Sequence, residues 1–467
     1  MNKKPPFKKV LIANRGEIAV RIIRACHELG IRTVAVHSTA DEQALHVKLA
    51  SESVCIGPAL AKDSYLSIAA IMSAAVATGA DAIHPGYGFL SENPAFAEIC
   101  GSCGITFIGP SVKNMRVMGD KARARRAAEK AGVPTIPGNS TGFLKAEDAL
   151  KVARKAGFPV LLKACAGGGG RGMKVVNSED EFVTTFATAQ REVEAAFGDG
   201  NLLVEKYLPE VRHVEVQVAG DRMKNVIHLG VRDCSIQRRY QKLIEEALSP
   251  GLPAKLQDKM QQAAVELARS VNYTSVGTVE FLVDLSAGKF YFIEMNTRLQ
   301  VEHPVTEMLT DTDLVTEQIR LAAGQELSLQ QRDIEMKGHV IEARINAENP
   351  QTMIPSPGLV ESYHPPGGHG VRVDSAIYSG YTVQPYYDSL IAKLIVKGRD
   401  RETCIKKMLV ALDEYIITGI ETNIDMHRKI LNHPDFRNGT FHTKFMDNVN
   451  LFEEDKQWSV TEERSAV

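Results

Sequence analysis

The chain has 467 residues, of which 44% are hydrophobic and 24% are charged, and its formal net charge is −2. This length suggests about two to four folded units, because a domain usually takes roughly 100–200 residues. The nearly neutral charge argues against a nucleic-acid partner, which would favour a strongly basic face.

Targeting and redox signals point to a reduced, membrane-free setting. The apolar run at residues 10–13, behind a basic N-terminus, is too short for a signal peptide, and no apolar stretch reaches the length of a membrane span. The cysteines are scattered and odd in number, which is typical of reduced thiols. Cys100 and Cys103 form a C-x-x-C without a second pair, so free thiols are favoured over a zinc or redox site. We expect a cytoplasmic protein that binds neither nucleic acid nor membrane.

Residues 1–120 alternate between strand and helix signals. After a short apolar strand at residues 10–13, apolar residues recur at helical spacing as far as Leu29, and Gly30 stands where a C-cap glycine belongs. The alternation predicts an α/β unit, a doubly wound parallel sheet with helices on both faces. The first turn, residues 14–17, reads Asn-Arg-Gly-Glu and lacks the G-x-G-x-x-G of dinucleotide folds. Further strand signals lie at residues 33–36, 53–56, 81–84 and 105–108.

Residues 121–330 are predicted to form a second unit that begins with a basic helix and contains a mobile lid at residues 136–207. Within the lid, the segment from Lys163 to Met173 is a glycine-rich loop that follows an apolar strand. Glycines allow backbone N–H groups to wrap an anion, and the flanking cations favour a phosphate-binding flap over a plain surface loop. The loop is not a Walker A motif, because no Gly-Lys-Ser/Thr follows.

A β-hairpin is predicted later in this unit, with strands at residues 277–283 and 289–296. Glu280 and Glu294 would then be cross-strand neighbours, whose Cβ atoms lie about 4.5–5.5 Å apart. Two like charges this close favour a cation between them, and Asn296 follows two residues later. Because hard oxygen ligands suit Mg²⁺, the hairpin predicts a metal site. The alternative is a pair of exposed carboxylates on different faces.

The run of residues 294–302 reads Glu-Met-Asn-Thr-Arg-Leu-Gln-Val-Glu, with a polar side chain at every even position. In an extended chain these side chains would share one face and span up to about 26 Å. An ordinary half-buried strand is the alternative, but it does not predict two carboxylates, two amides and an arginine. We therefore predict that one end of the run holds a metal and the other meets a different part of a substrate.

Other segments carry weaker signals. Residues 205–208, Glu-Lys-Tyr-Leu, end the lid at a domain junction, which suits a nucleotide base. Residues 234–242 are dense in hydrogen-bond donors, and a binding strand and a solvated basic strand explain them equally well. Arg344 alternates with apolar neighbours, and by itself this is compatible with a structural ion pair. A third, α+β unit is predicted at residues 331–450, followed by a polar tail at residues 451–467.

Specific motifs run through nearly the whole chain: IANRGEIA, HPGYGFLSEN, MGDK, GGGGRGM, EKYL, FIEMNTRLQVEHPVTE, RINAE and PYYDS. Through them the chain resembles biotin carboxylase, the ATP-grasp component of biotin-dependent carboxylases, from about residue 8 to about residue 450. The resemblance implies a pre-ATP-grasp N-terminal domain, an ATP-grasp core with a mobile lid and a C-terminal biotin carboxylase domain. It also implies a ligase that carboxylates biotin with ATP and bicarbonate, through carboxyphosphate.

The resemblance implies roles for individual residues. Glu302 would be the base that deprotonates bicarbonate, with Lys242 and Arg298 also catalytic, Arg344 would stabilise the biotin enolate, and Tyr87 would lie near the biotin entry. The implied bicarbonate pocket comprises Lys242, Arg298, Gln300, Val301 and Glu302. The implied ligands of Mg²⁺ or Mn²⁺, with two ions expected, are Glu280, Glu294 and Asn296. The implied ATP contacts are Lys121, Lys163, Gly168, Gly169, Gly170, Met173, Glu205, Lys206, Leu208, His213, Gln237 and Tyr240.

Three positions depart from the family pattern. Tyr240 stands where the family usually has histidine, beside the nucleotide, so ATP affinity could shift while activity survives. Ala166 replaces one glycine of the usual run of five, which would stiffen the flap slightly. His369 stands where a phenylalanine often contributes to the family's homodimer contact, which weakens the expectation of a dimer.

The resemblance also implies partners. The chain has no Ala-Met-Lys-Met-like biotinylation site and no room for a carboxyltransferase domain, so we expect biotin on a separate carrier protein or subunit, and a carboxyltransferase subunit. The parent enzyme could be acetyl-CoA carboxylase or a pyruvate, 2-oxo-acid or acyl-CoA carboxylase. The alternatives are another ATP-grasp carboxylate ligase and a non-catalytic nucleotide-binding subunit. Retention of Arg298, Gln300, Glu302 and Arg344 argues against the first, and retention of Glu302 and of the carboxylates Glu280 and Glu294 argues against the second.

Overall fold

The computed structural model describes residues 6–139, 141–165 and 173–452. Within these ranges the chain forms a parallel N-terminal sheet, a small antiparallel sheet of three strands and a large antiparallel sheet of eight strands. Two further sheets have two strands each. The predicted Gly168, Gly169, Gly170 and Ala166 lie outside the described residues.

The N-terminal sheet is built from β1 (Lys9–Ile12), β2 (Arg32–His37), β3 (Glu52–Cys55), β4 (Ala82–His84) and β5 (Thr106–Phe107). Its helices are α1 (Gly16–Glu28), α2 (Leu45–Leu49), α3 (Ile68–Thr78), α4 (Pro94–Ser102) and α5 (Val112–Met118). All strands are parallel, in the order β3-β2-β1-β4-β5. Val10 of β1 packs with Ile18 of α1, whereas Leu11 packs with Ile71 of α3, so helices cover both faces. The predicted doubly wound parallel sheet is confirmed.

The carboxyl ends of β1 and β4 meet at one edge of this sheet. Asn14, just after β1, donates from Nδ2 to the carbonyl oxygens of Pro85 and Tyr87, both at 2.7 Å. Gly86 adopts φ 61°, and a Cβ atom there would lie 2.9 Å from Nδ2 of Asn14. Only glycine therefore fits this close approach, which fixes Tyr87 at the sheet edge.

The small sheet lies within the predicted lid and has its own hydrophobic core. Its strands β6 (Val160–Ala164), β7 (Met173–Val176) and β8 (Leu202–Lys206) are antiparallel, with β6 in the middle. Two helices, α7 (Ala146–Ala156) and α8 (Phe182–Phe197), pack against it, and Phe182 and Phe186 fill the interface. The apolar strand predicted before the glycine-rich loop is confirmed as β6.

The large sheet contains β9 (Arg212–Gly220), β10 (Val226–Arg238), β11 (Gln241–Ala247), β12 (Ser275–Asp284), β13 (Lys289–Asn296), β14 (His339–Asn346), β17 (Val371–Ser375) and β19 (Leu390–Gly398). The strands are antiparallel, in the order β13-β12-β9-β10-β11-β14-β19-β17. Pairing of β11 with β14 joins the predicted second and third units into one continuous sheet. Sequence patterns did not predict this continuity, because β11 and β14 are about a hundred residues apart and carry no mutual register signal.

The remaining elements surround this sheet. The short strands are β15 (Gly358–Leu359), β16 (Tyr363–His364), β18 (Thr382–Val383) and β20 (Ile416–Ile417). The remaining helices are α6 (Lys121–Lys130), α9 (Ala254–Ser270), α10 (His303–Thr310), α11 (Leu314–Ala322), α12 (Arg401–Glu414), α13 (Ile424–Asn432), α14 (Pro434–Asn438) and α15 (Phe445–Asn448). In the described part of the chain, no helix is both long and apolar enough to cross a lipid bilayer. The described cysteines are free thiols.

The run of residues 294–302 is not one extended strand, so that prediction was wrong. Strand β13 ends at Asn296, and the following residues form a loop that leads into α10. Glu92 binds the start of the loop. Its Oε1 accepts hydrogen bonds from the backbone N–H of Thr297 at 2.8 Å and from the Thr297 hydroxyl at 3.1 Å. These tertiary bonds replace the ladder bonds that an extended strand would need.

Glu246 ties the large sheet to the C-terminal helices. This buried carboxylate in β11 accepts two hydrogen bonds from Arg401 at 2.7 and 2.8 Å and pairs with Nε2 of His339 at 2.7 Å. Arg401 also donates to the backbone carbonyls of Phe436 and Arg437. Burial alone would raise the pKa of the Glu246 carboxyl, but the hydrogen bonds from His339 and Arg401 lower it to about 2.

We expect the Glu246→Gln variant to lose a pH-dependent part of the stability. A carboxyl whose folded pKa lies below its unfolded value stabilises the fold above the unfolded pKa, and this stabilisation is lost as the pH falls. For Glu246 it amounts to about 3 kcal/mol near pH 7 and disappears between about pH 5 and pH 2. The melting temperature should therefore fall less steeply with acidification in the variant than in the wild type.

Glu266→Gln, at a half-exposed position in α9, is the matched control, and its melting curve should follow that of the wild type. Identical pH dependence of melting in the wild type and in Glu246→Gln would show that the pairing of Glu246 with Arg401 contributes nothing specific.

Candidate active site

A cavity of about 1270 Å³ opens between the N-terminal sheet, the lid and the large sheet. It gathers residues that are far apart in the sequence, as an active-site cleft between domains does. Its lining includes these predicted site residues: Tyr87, Lys121, Lys163, Met173, Glu205, Lys206, Leu208, His213, Gln237, Tyr240, Lys242, Glu280, Glu294, Asn296, Arg298, Gln300, Val301 and Arg344.

Glu302 lies beneath the floor of this cavity, with its carboxylate completely buried. Lys242 Nζ contacts Oε1 at 2.5 Å, and Arg344 Nη2 donates to Oε2 at 2.8 Å. Burial alone would raise the pKa of the Glu302 carboxyl, but the charges of Lys242 and Arg344 hold it well below its ordinary value. The group is therefore an ionised proton acceptor flanked by two cations.

Arg344 is held between two carboxylates. Its Nε donates to Oε1 of the buried Glu245 at 2.6 Å, while Nη2 reaches Glu302. Its backbone carbonyl accepts from Asn423 at 2.9 Å and pairs with Nε2 of His427 at 2.7 Å. Burial, opposed by the charge of Arg344, raises the pKa of Glu245 to about 7. The guanidinium is thus fixed in one orientation and faces the cavity, where it could bind an oxyanion.

The hairpin of β12 and β13 places Glu280 directly opposite Glu294, which is the predicted register. Glu280 is buried and accepts from Asn296 Nδ2 at 2.8 Å and from Gln300 Nε2 at 2.9 Å, and it pairs with His213 Nε2 at 2.8 Å. Burial opposes but does not outweigh the charges of Lys242 and His213, which lower the pKa of Glu280.

The pKa of Glu294 is shifted in the opposite direction to that of Glu280. Burial and the negative charge of Glu280 raise the pKa of its carboxyl. Two facing carboxylates with an amide beside them form a hard oxygen donor set, and a divalent cation between them would relieve their repulsion. Glu280, Glu294 and Asn296 therefore fit a magnesium or manganese ion. His213 and Glu215 also reach Glu280 closely enough to share such a site.

The side of the cavity that is predicted to bind a nucleotide lies between the lid and the large sheet. Lys163 of β6 contacts Glu205 of β8, with Nζ and Oε2 2.5 Å apart. Lys206, next along β8, donates to the carbonyl oxygens of Gly157 and Phe158, both at 2.9 Å. Leu208 follows at the strand end and faces the cavity. Two cationic side chains and an apolar edge thus lie on one short strand and its neighbour.

Tyr240 lies at the tip of a tight hairpin and not within a strand. Arg239 and Tyr240 have φ values of 50° and 65°, and Arg238 pairs with Gln241 across the turn. Such two-residue turns usually favour asparagine or glycine, because both central residues need positive φ. Tyr240 is 62% exposed, so the turn holds its ring at the rim of the cavity.

The loop after β13 brings the remaining predicted residues to the cavity. Arg298 Nε donates to Glu92 Oε2 at 2.9 Å, and Nη2 donates to Asn296 Oδ1 at 3.0 Å. The Tyr87 hydroxyl donates to Glu17. Although residues 294–302 do not form one extended strand, the even-numbered polar residues among them still converge on one site. The loop curves around the cavity, which brings them closer together than a straight strand would.

Sequence reasoning missed several residues that organise the site. Glu215 is completely buried, and its carboxylate accepts hydrogen bonds from Lys242 Nζ at 2.8 Å and from Arg232 Nε at 2.5 Å. Val214, Val216 and Val218 alternate along β9, and the same period of two places Glu215 and Gln217 on the opposite face of the strand. No sequence pattern marks Glu92 or Glu245 as a site residue. Lys393 does stand out in the sequence, because it is a lone cation in the apolar run LIAKLIV.

Comparisons with known proteins agree with this geometry. Family models match in chain order: the biotin carboxylase N-terminal domain at residues 6–115, the ATP-binding domain of the carbamoyl-phosphate synthase L chain at 120–330, and the biotin carboxylase C-terminal domain at 342–448. Biotin carboxylase 1 of Bacillus subtilis (strain 168) is 54% identical over 95% of this chain and 99% of its own. The chain belongs to the biotin carboxylase family. It is therefore an ATP-dependent ligase with the three-domain biotin carboxylase fold.

Solved structures of this family superimpose closely on the chain. Biotin carboxylase from Campylobacter jejuni, solved as its beta-gamma-ATP complex, has a TM-score of 0.92 at 49% identity and covers 95% of this chain and 99% of that one. The biotin carboxylase domain dimer of Hydrogenobacter thermophilus 2-oxoglutarate carboxylase, with MgADP, ADP and bicarbonate, has a TM-score of 0.89 at 50% identity. It covers 94% of this chain and 97% of that one.

The facing carboxylates should respond to substitution with opposite signs. In the presence of a chelator at pH 8, Glu294→Gln should raise the melting temperature because it removes the repulsion with Glu280. Glu280→Gln should lower it, because His213 and Lys242 lose a charged partner. In both variants the extra stabilisation that MgADP gives over ADP alone should shrink. Equal shifts in the same direction, or an unchanged gain from MgADP, would contradict the predicted metal site.

Proposed function

We propose that this biotin carboxylase uses ATP and bicarbonate to carboxylate biotin carried by a separate protein. The observation that carries the proposal is the buried Glu302 carboxylate, held by Lys242 and Arg344 next to the facing Glu280 and Glu294. A proton acceptor, oxyanion-binding cations and a cation site thus lie within one cavity. Bicarbonate activation and phosphoryl transfer need these groups together.

In the first half-reaction, bicarbonate would bind to the side chains of Lys242, Arg298 and Gln300 and to the backbone at Val301. Glu302 would take its proton, which raises the nucleophilicity of the oxygen. That oxygen attacks the γ-phosphorus of ATP as the bond to the β-phosphate oxygen breaks, giving carboxyphosphate and ADP. Mg²⁺ or Mn²⁺ at Glu280, Glu294 and Asn296, with two ions expected, would supply charge neutralisation at the phosphates.

ATP would lie between the lid and the large sheet. Lys121, Lys163 and His213 would face its phosphates, while Glu205, Lys206 and Leu208 would meet the base. Met173, Gln237 and Tyr240 would complete the nucleotide contacts, together with Gly168, Gly169 and Gly170 outside the described residues. Closure of the lid would keep water from carboxyphosphate. The Campylobacter jejuni relative, solved as its beta-gamma-ATP complex, supports nucleotide binding by this fold.

In the second half-reaction, carboxyphosphate breaks down to CO₂ and phosphate. The phosphate then takes the proton of the biotin ureido N–H, and the resulting enolate attacks CO₂ to form carboxybiotin. Arg344 would stabilise the enolate oxygen, because its planar, permanently charged guanidinium is already oriented by Glu245 and Glu302. Tyr87 would lie where biotin enters.

The partners follow from the same scheme. Biotin would arrive on a biotin carboxyl carrier protein or a biotinylated subunit, and a carboxyltransferase subunit would use the product. Acetyl-CoA, pyruvate, 2-oxo-acid and acyl-CoA carboxylases are the candidate parents, and the 2-oxoglutarate carboxylase relative supports the third. A homodimer is proposed on the same relative, with His369 at the position of the family's aromatic contact. The proposed domains are residues 1–120, 121–330 and 331–450, with the lid at 136–207 and a tail at 451–467.

ATP hydrolysis by the purified chain with Mg²⁺ should require bicarbonate and should rise when free biotin is added. Hydrolysis that is indifferent to both would overturn the proposal and favour another ATP-grasp carboxylate ligase. No hydrolysis, even with a biotinylated carrier present, would favour a nucleotide-binding subunit.

Replacing the base should separate chemistry from nucleotide binding. Glu302→Gln should lower biotin carboxylation by about a hundredfold or more, because general-base catalysis typically contributes that much. ADP should still raise its melting temperature as it does in the wild type. The exposed Glu98→Gln change is the matched control and should retain full activity. Normal turnover in Glu302→Gln would remove the role of Glu302 as the base.

A further inference from the structure

Lys393 is a completely buried lysine that the reaction scheme does not use. It lies in β19, and its cross-strand partner in β14 is Arg344. The cation proposed to stabilise biotin's enolate therefore has a second cation directly beside it. A charge this deeply buried is costly unless it is paired, so its partners show what it organises.

The ammonium group of Lys393 joins three parts of the fold. It donates to the Val301 carbonyl oxygen at 2.9 Å in the loop that leads to Glu302. It also contacts Oε2 of Glu17 in α1 at 3.1 Å and Oδ2 of Asp374 in β17 at 4.0 Å. Burial alone would lower the pKa of Lys393, but the carboxylates, Glu17 first among them, raise it above its ordinary value. Lys393 is thus a cation and a hydrogen-bond donor near neutral pH.

Two of these contacts, to the Val301 carbonyl and to Glu17, lead to the two proposed substrate pockets. The Val301 carbonyl and the Glu302 nitrogen share one planar peptide unit, so the bond to Lys393 sets the orientation of the peptide that carries the base. On the other side, Glu17 accepts from the Tyr87 hydroxyl, at the proposed entry of biotin. One buried ammonium therefore touches the supports of both the bicarbonate pocket and the biotin pocket.

We propose that Lys393 is a positioning residue that holds the Val301–Glu302 peptide for bicarbonate and, through Glu17, the Tyr87 hydroxyl for biotin. This inference rests on the proposed function of the cavity. It assigns no contact between Lys393 and either substrate. A purely structural lysine would neutralise Glu17 and Asp374 and leave the affinities for bicarbonate and biotin unchanged in the folded protein.

Neighbouring residues provide matched variants. Lys393→Met removes the donor but leaves Glu17 without its cationic partner. The double variant Glu17→Gln, Lys393→Met removes both charges, while Asp374 stays paired with Arg372 at 2.9 and 2.7 Å. Glu17→Gln alone keeps the bond from Lys393 to Val301. Lys397 is the control, because it lies four residues along β19 on the same face and also donates to a backbone carbonyl, that of Met308, at 2.6 Å.

The KM values for bicarbonate, biotin and ATP should be measured for each variant in the bicarbonate-dependent ATPase assay. Both variants that contain Lys393→Met should raise the bicarbonate KM by about tenfold or more, as expected for loss of a charge-assisted hydrogen bond, with the ATP KM within about twofold of wild type. Glu17→Gln should raise the biotin KM and leave the bicarbonate KM unchanged. Lys397→Met should change none of the three.

Several results would overturn the assignment of Lys393. One is an unchanged bicarbonate KM in a folded variant that contains Lys393→Met, and another is a proportional loss of ATP and bicarbonate affinity. If neither such variant folds, an unchanged biotin KM in Glu17→Gln would still refute the link to Tyr87. The wild-type assay separates this inference from the proposed function. If the wild type needs no bicarbonate, the proposed function fails, whereas unaltered variants of a bicarbonate-dependent wild type refute Lys393 alone.

Discussion

The site depends on keeping the Glu302 carboxylate ionised in a place that water does not reach. A buried charge is stable only when opposite charges and hydrogen bonds compensate it, and here Lys242 and Arg344 do so from two sides. Each cation needs its own second partner, which explains the buried Glu215 behind Lys242 and Glu245 behind Arg344. The same cations are available to an anion that enters the cavity, so the groups that stabilise the proposed base also form the proposed oxyanion pocket.

This requirement explains why the large sheet runs without interruption through two of the family's domains. Lys242 lies just before the paired residues of β11 and Arg344 just after those of β14, so the register between these strands sets the distance between the cations. The N-terminal sheet contributes Glu92 and Tyr87 from the loops at its carboxyl edge, where open α/β sheets usually bind ligands. The lid borders the side of the cavity that is proposed for the nucleotide. The proposed chemistry would therefore occur at the junction of rigid elements, and the proposed mobile lid would cover ATP.

Local patterns predicted the fold and much of the site. Strand–helix alternation predicted the parallel sheet, and hairpin spacing predicted that Glu280 faces Glu294. The path of residues 297–302 could not be predicted, because Glu92, about two hundred residues earlier, bends it. The same holds for Tyr240, which occupies a turn that usually requires glycine or asparagine, and for Lys393, whose partners lie on α1, β17 and the loop before α10. Sequence patterns indicate which residues are chemically active, whereas long-range contacts decide which of them meet.

The central claim is that a bicarbonate oxygen, freed of its proton by Glu302, becomes bonded to the γ-phosphorus of ATP. Isotope transfer tests this most directly: bicarbonate labelled with ¹⁸O is incubated with the chain, ATP, Mg²⁺ and biotin, and the released phosphate is examined by mass spectrometry. Attack by bicarbonate predicts that a single labelled oxygen appears in each phosphate, because the carboxyphosphate C–O bond is the one that breaks. Phosphate that takes its new oxygen only from water would contradict the account.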